Sequence, residues 1–183
     1  FAESIEEQAQ MDVDWGDESK DSQKDHGTKA LAEYMKTIAP TIQPKAVQLR
    51  VEPVIADNQF IGFIDLETVD GKLIDHKTTS KTPSDPSVEF NLQATVYSRG
   101  YREQYGEESG IEFHFLVRNK TPKFVIKKTT RDERDYGYLE SITRAVADGI
   151  RNERFYPNPT SKYCDRCPFR GVCKETYGKV VSF

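Results

Sequence analysis

Between Gly62 and Thr78 the chain reads Gly-Phe-Ile-Asp-Leu-Glu-Thr, then Val-Asp-Gly, then Lys-Leu-Ile-Asp-His-Lys-Thr. Two strand-like stretches flanking Asp70-Gly71 predict a hairpin. A hairpin constrains a fold strongly, because a register shift of one residue moves every side chain to the other face of the sheet. If Val69, Asp70 and Gly71 form a three-residue loop with Gly71 in the left-handed conformation, Asp65 sits directly opposite Asp75. Phe63, Asp65, Glu67, Leu73, Asp75 and Lys77 then share one face, and Ile64, Leu66 and Ile74 on the other can be buried against helices. A two-residue loop would put the aspartates on opposite faces.

The rest of the chain supplies partners for such a hairpin. From Asp25, apolar positions Leu31, Tyr34, Met35 and Ile38 recur at helical spacing until Pro40 and Pro44. Val47 to Ile55 has strand character and precedes the hairpin. Ser87 to Tyr105 returns to helical spacing, with Leu92, Val96 and Gly100 on one stripe and Gln93, Tyr97 and Tyr101 on the next. Glu112 to Arg118 and Lys123 to Thr129 read as a second hairpin around Asn119 to Pro122, and Leu139, Ile142, Val146 and Ile150 mark a last amphipathic helix. Ala2 to Gln10 is helix-compatible, and the acidic stretch Met11 to Lys24, broken by Gly16, reads as a surface excursion. The chain opens on Phe1 inside apparent helix, so it is expected to begin within a larger protein.

With 183 residues, 36% of them apolar, the chain can fill one ordinary core, and we expect one soluble domain over 1–183, divided into 1–46, 47–130 and 131–183. No stretch approaches the roughly 20 apolar residues of a membrane helix, and no leader-like segment opens the sequence, which favours the cytoplasm and no membrane partner. A net charge of −4 gives no global attraction to nucleic acid, so phosphate binding has to come from a local basic surface or from bridging metal ions.

Two carboxylates a few ångströms apart in a half-buried sheet repel each other, and a divalent cation is the simplest way to keep both ionised. Mg²⁺ suits oxygen ligands and bridges to phosphate. Lys77, two residues beyond Asp75, projects to the same face and can orient a water or stabilise developing negative charge. An Asp-x-Lys tripeptide by itself is more simply a set of solvated charges. What favours chemistry is the second Asp at matching register, the apolar opposite face, and a following helix with Gln93 and Tyr97 one turn apart.

Gly62-Phe-Ile-Asp65, Ile74-Asp-His-Lys77-Thr78 and Gln93-Ala-Thr-Val-Tyr97, taken in order, resemble the active-site motifs of the RecB-type branch of the PD-(D/E)XK nuclease superfamily. The likeness extends through Tyr156-Pro-Asn-Pro159 to the closing cysteines, as in phage exonucleases, CRISPR-adaptation nucleases and recombination helicase-nucleases. It implies an α/β, restriction-endonuclease-like core, a central mixed β-sheet flanked by helices, and hydrolysis of DNA with Mg²⁺ or Mn²⁺. By resemblance Asp65 and Asp75 are metal ligands, Lys77 is the catalytic lysine, and Gln93 and Tyr97 contact phosphate or support the site. The family's motif His, in a G-x-x-x-H pattern, is not matched by Asp25-His-Gly-Thr-Lys, so it is expected upstream of Phe1, with His26 a surface residue. Glu52 is a further candidate metal carboxylate on the preceding strand, and Gln48 occupies an equally plausible position without a charge.

All three cysteines fall in Cys164-x-x-Cys167 and Cys173, a clustering that argues for a metal site over disulfides. Structural zinc and iron–sulfur clusters take four ligands, so one is absent or is not cysteine. The resemblance implies that these are three ligands of a [4Fe–4S] cluster whose fourth cysteine precedes Phe1, stapling the C-terminus to N-terminal helices. Lys120, Lys123, Lys127, Lys128 and Arg131 around the second hairpin, with Arg99 and Arg102 on the helix after Gln93, are candidate DNA contacts. Function is expected to be that of a DNA nuclease, most simply an exonuclease, in repair, recombination or phage and CRISPR DNA processing. The other class is a catalytically weak DNA-binding module of a helicase-nuclease assembly. DNA, and a helicase or a recombination or CRISPR protein, are the expected partners.

Overall fold

Gly71 adopts the left-handed conformation at φ +79°. The loop around it closes as Thr68 N–H donates to the Lys72 carbonyl and Gly71 N–H to the Thr68 carbonyl, both at 2.9 Å. This three-residue loop is the one the site requires, and only glycine takes its backbone conformation without strain. The computed structural model describes residues 19–118, 121–158, 163–164 and 167–178. The expected helix at 2–10, most of the acidic stretch, Lys120 and Pro159 lie outside them.

In chain order the elements are α1 (Lys20–Thr37), β1 (Pro44–Val51), β2 (Val54–Ile55), β3 (Asn58–Gln59), β4 (Gly62–Thr68), β5 (Leu73–Thr79), α2 (Pro86–Glu89), α3 (Leu92–Tyr105), β6 (Ile111–Val117), β7 (Lys123–Thr129), α4 (Glu133–Arg151) and α5 (Arg170–Tyr177). Five strands form one sheet in the order β1-β4-β5-β6-β7, and β2 and β3 form a separate small hairpin. The β5–β6 pairing is parallel and the others are antiparallel. This is the mixed central sheet flanked by helices that was expected. Parallel neighbours need a crossover, which α2 and α3 supply between β5 and β6. The chain divides into two compact units, Phe1–Ser141 and Ile142–Phe183.

In the first unit a core of Val51, Ile64, Leu73, Ile111, Phe113 and Phe115 packs with Ala94, Tyr97 and Tyr101 of α3. Ala30 and Tyr34 of α1 pack with Leu116 and Phe124 in a second cluster. Each helix buries part of its expected stripe, Tyr34 on α1 and Tyr97, Gly100 and Tyr101 on α3, but turned so that some of its apolar residues face solvent. Leu31 and Met35 of α1 and Leu92 of α3 are exposed, while α3 buries Ala94, Thr95, Tyr97, Ser98, Gly100 and Tyr101. Gly100 is the reason α3 comes so close to the sheet: a Cβ there would stand 2.8 Å from both Val51 Cβ and Pro53 Cδ. α1 begins at Lys20, capped by the Ser19 side chain accepting from Ser22 N–H, so part of the presumed surface excursion is helix.

Arg131, expected on a basic surface, is instead buried. Its guanidinium donates to Thr95 Oγ1 at 2.9 Å and to the carbonyls of Val88 and Asn91 at 3.1 Å, tying the start of α3 to the end of β7. In the second unit, Tyr177 Oη donates to the Phe155 carbonyl at 3.1 Å, and Gly178 closes α5 in the left-handed conformation.

Gly100→Ala is expected to destabilise the protein by about 1–3 kcal/mol, because backbone-linked atoms of β1 and Pro53 cannot move aside cheaply. Urea denaturation with unchanged slope checks this.

Candidate active site

The pairs Leu66↔Ile74 and Glu67↔Leu73 carry the β4–β5 register, which places Asp65 opposite Asp75. The ladder stops there. Beyond it the His76 N–H donates to Asp65 Oδ2 at 2.8 Å, so a carboxylate takes the place of a strand carbonyl. β5 meanwhile continues its parallel pairing with β6 through Thr79↔Val117.

The pleat of β4 breaks at the same point. Ile64 and Glu67 are an odd number of residues apart, yet Ile64 shares the core with Tyr97 and Glu67 accepts from Tyr101 Oη at 2.6 Å. A regular strand cannot present both to one helix. Phe63 is 48% exposed, so the expected clean division into a site face and a buried face does not hold along β4. On β1 the disturbance shows at Gln48, φ +50°, which the flanking pairs Val47↔Leu66 and Leu49↔Ile64 set against Asp65. Gln48 Nε2 donates to Asp65 Oδ1 at 3.3 Å. Glu52 is not brought to the pair: its carboxylate accepts from Arg50 at 2.7 Å and its N–H donates to Gln104.

Asp75 is the buried member of the pair, its side chain 3% exposed against 32% for Asp65. It lies beside Phe113 of β6 in the register. Burial raises its pKa above the ordinary carboxylate value; Lys77 opposes the shift and Asp65 adds to it. Its Oδ2 stands 2.9 Å from Lys77 Nζ yet receives no well-directed hydrogen bond. Lys77 Nζ is 3.2 Å from Asp75 Oδ1 and donates to Gln93 Oε1 at 2.7 Å. Gln93 Nε2 donates to Tyr97 Oη, which donates to the Phe63 carbonyl, both at 2.8 Å. Burial holds the Tyr97 hydroxyl above its usual pKa, so it stays a donor. Asn91 starts α3 by accepting from Ala94 N–H at 3.0 Å, setting the turn on which Gln93 and Tyr97 stand. Asp65, Asp75, Lys77, Gln93 and Tyr97 are thus gathered into one constellation.

Opposed aspartate oxygens, one buried and short of a donor, fit a divalent cation with oxygen preference. Among the described residues no three carboxylate, imidazole or thiol side chains already form a cage for an ion, at the aspartates or at the cysteines. Cys164, Cys167 and Cys173 are free thiols of intermediate exposure, and Cys164 Sγ contacts the Asn158 carbonyl at 3.5 Å.

The candidate DNA contacts are mostly engaged within the protein. Lys127 pairs with Asp85, Lys128 with Glu112 at 3.2 Å, Arg99 with Glu103 at 2.5 Å and Arg102 with Glu108 at 2.8 Å. Lys123 is exposed on β7. Sequence reasoning missed a polar cluster under α1, where Tyr34 Oη lies 2.8 Å from both His76 Nε2 and His114 Nδ1. The available signal was alternation, which sends His76 to the face opposite Asp75 and Lys77.

A model of the PD-(D/E)XK nuclease superfamily matches residues 2–174. No curated protein matches the chain significantly. Among solved structures the chain is similar to a protein assigned as an exonuclease from Eubacterium rectale, with a TM-score of 0.66, 11% identity, and coverage of 97% of this chain and 73% of that one. At that identity the likeness speaks for the fold. SSO0001 aligns at a TM-score of 0.48 and 13% identity over 83% of this chain and 69% of its own, too low to carry an argument. Among the described residues no helix is long and apolar enough to cross a membrane.

A carboxyl whose folded pKa is raised costs stability once it ionises: nothing below the unfolded pKa, the full amount above the folded one. In the metal-free protein, stability is therefore expected to fall as pH rises from the ordinary Asp range through the raised Asp75 value. Thermal melts of Asp75→Asn should lack this component, so the variant gains relative to wild type with pH. Parallel pH profiles would contradict it.

Proposed function

The chain belongs to the PD-(D/E)XK nuclease superfamily, and on that premise we propose that it is a Mg²⁺- or Mn²⁺-dependent deoxyribonuclease acting as an exonuclease. The observation that carries this reading is the hydrogen-bonded series from Asp75 through Lys77 and Gln93 to Tyr97, which ends on the backbone of the strand bearing Asp65. Asp65 and Asp75 would hold the cation. When bound, such an ion supplies Lewis-acid activation of water and neutralises charge on the phosphate.

The chain's own residues do the rest. Asp75 and Gln93 hold the Lys77 ammonium from two sides, so it is pre-positioned to stabilise negative charge on the phosphate without reorganising. Both ends of the Gln93 amide are engaged, its oxygen accepting from Lys77 and its nitrogen donating to Tyr97, which makes it a positioning residue. Tyr97 anchors that amide to the Phe63 carbonyl. Lys120, Lys123, Lys127 and Arg99 would track the DNA backbone with salt-sensitive affinity, after exchanging their present acidic partners for phosphate where they have them.

On this reading 1–183 is one nuclease domain of the RecB-type branch, working on DNA in repair, recombination or phage and CRISPR processing, with a helicase or recombination protein as partner. Cys164, Cys167 and Cys173 would give three thiolates to a [4Fe–4S] cluster, with a fourth ligand from another donor. Anaerobic reconstitution with iron and sulfide is expected to give the visible absorbance of a cluster in wild type and not in Cys167→Ser. The second reading, a catalytically weak DNA-binding module, is favoured by Gln48, a neutral amide at the site's third strand.

Cleavage of end-labelled DNA with Mg²⁺ or Mn²⁺ decides between them. Cutting is expected to require the cation and to fall on the order of 10²–10³-fold in Lys77→Ala, with a smaller loss in Gln93→Ala. Binding of DNA with no cleavage by wild type would establish the second reading.

A further inference from the structure

Within β1 one residue leaves the extended conformation. Among the described residues, those with positive φ that are not glycine are Ala56 and Asp57, which turn the β2–β3 hairpin, Glu153, in the turn after α4, and Gln48 at +50°. The first three stand where the chain changes direction. Gln48 stands inside a strand, and the β1–β4 pairing steps over it, from Val47↔Leu66 to Leu49↔Ile64. A residue with a Cβ takes up this backbone at a cost that its surroundings must offset. Burial does not offset it, because Gln48 is exposed. What the conformation accomplishes is to aim the side chain: Gln48 Nε2 donates to Asp65 Oδ1 at 3.3 Å.

Asp65 stands on β4, which has β1 on one side and β5 on the other. Gln48 reaches its Oδ1 from β1, and the His76 N–H reaches its Oδ2 at 2.8 Å from β5. The torsion that turns an aspartate's carboxyl plane is soft, so one donor leaves the plane free to pivot. Two donors, one on each oxygen and from the two neighbouring strands, close that freedom off. A carboxylate has about four acceptor sites, so both oxygens keep capacity beyond these bonds. The amide is also neutral. It holds the carboxylate without cancelling its charge, as a lysine or arginine at position 48 would.

We propose that Gln48 is a positioning residue for Asp65, and that its left-handed backbone is functional strain: it aims a neutral donor that locks the carboxylate in one orientation for cation binding. The inference rests on the nuclease reading above, in which Asp65 is a ligand, and gives Gln48 a part in the site that is not ligation. It also separates fold stability from cation affinity. Glycine at position 48 tolerates the backbone and lacks the donor, whereas methionine keeps the length of the side chain and lacks the donor.

The experiment is calorimetric titration of the full chain with Mn²⁺, together with urea denaturation in EDTA, for wild type, Gln48→Gly, Gln48→Met and Asp65→Asn. Wild type is expected to bind Mn²⁺ and Asp65→Asn to lose it. Both Gln48 variants should bind Mn²⁺ more weakly, on the order of 10-fold. The urea midpoint of Gln48→Gly should lie at or above that of wild type, since relief of strain accompanies the loss of affinity. Mn²⁺ binding that is lost in Asp65→Asn yet unchanged in both Gln48 variants would overturn the inference and leave the nuclease reading standing. Urea midpoints that fall in both variants in step with affinity would make Gln48 a structural residue and overturn it equally. No Mn²⁺ binding to wild type would overturn both readings.

Discussion

A carboxylate placed inside a sheet, beside Phe113 and under α3, is the constraint around which this protein is arranged. Asp75 loses hydration on burial and faces a second aspartate across the hairpin. Among the described residues its ion-pair partner is Lys77, two residues along the same strand, which is the shortest spacing that returns a side chain to the same face. A lysine side chain is long and flexible, so the pair holds one geometry only if something fixes the ammonium. Gln93 does so, Tyr97 fixes Gln93, and the Phe63 carbonyl fixes Tyr97. The series returns to the strand that carries Asp65, so the geometry of the two aspartates and that of the lysine are one structural problem.

A continuous β4–β5 ladder would satisfy the His76 N–H with a strand carbonyl and lay Asp65 flat on a regular pleat. Instead the ladder is short, Asp65 takes the His76 N–H, and Gln48 on β1 adopts a left-handed backbone opposite. Irregular strand geometry of this kind re-aims a side chain. Its consequence is visible in the packing: Ile64 and Glu67 both reach α3, and Phe63 is turned toward solvent. Gly100 permits the approach of α3 that this needs, and buried Arg131 fixes the helix start through the carbonyls of Val88 and Asn91.

The two faces of β5 do different work. Asp75 and Lys77 belong to the face under α3, where a short polar series is embedded in apolar packing. His76 belongs to the face under α1, where Tyr34 joins it to His114 with ring centroids 5.4 and 5.9 Å away. Burial pushes the Tyr34 hydroxyl up to about 12, so it remains protonated as the junction. Alternation along one strand thereby links Asp65 to both layers.

The hairpin was legible in the sequence because it is local: Asp70-Gly71 specifies the loop, the loop specifies the register, and register sets Asp65 against Asp75 with no help from distant residues. Element order and the Gln93–Tyr97 spacing were legible for the same reason, and the family resemblance tied those motifs together. Whatever depended on distant contacts was not. Leu31, Met35 and Leu92 sit at helical spacing but face solvent, because the packed sides of these helices are carried by Ala30 and Tyr34 and by Ala94, Tyr97 and Tyr101. Arg131 reads as one more surface cation, and only the fold supplies the carbonyls that bury it. Gln48, in place of Glu52, reaches the site because a backbone irregularity invisible in composition turns it there. The sequence by itself determined the register of the two aspartates and the spacing of their lysine. Only the tertiary structure decided which of them is buried, what holds the lysine, and that His76 meets Tyr34, because those depend on residues brought together from far along the chain.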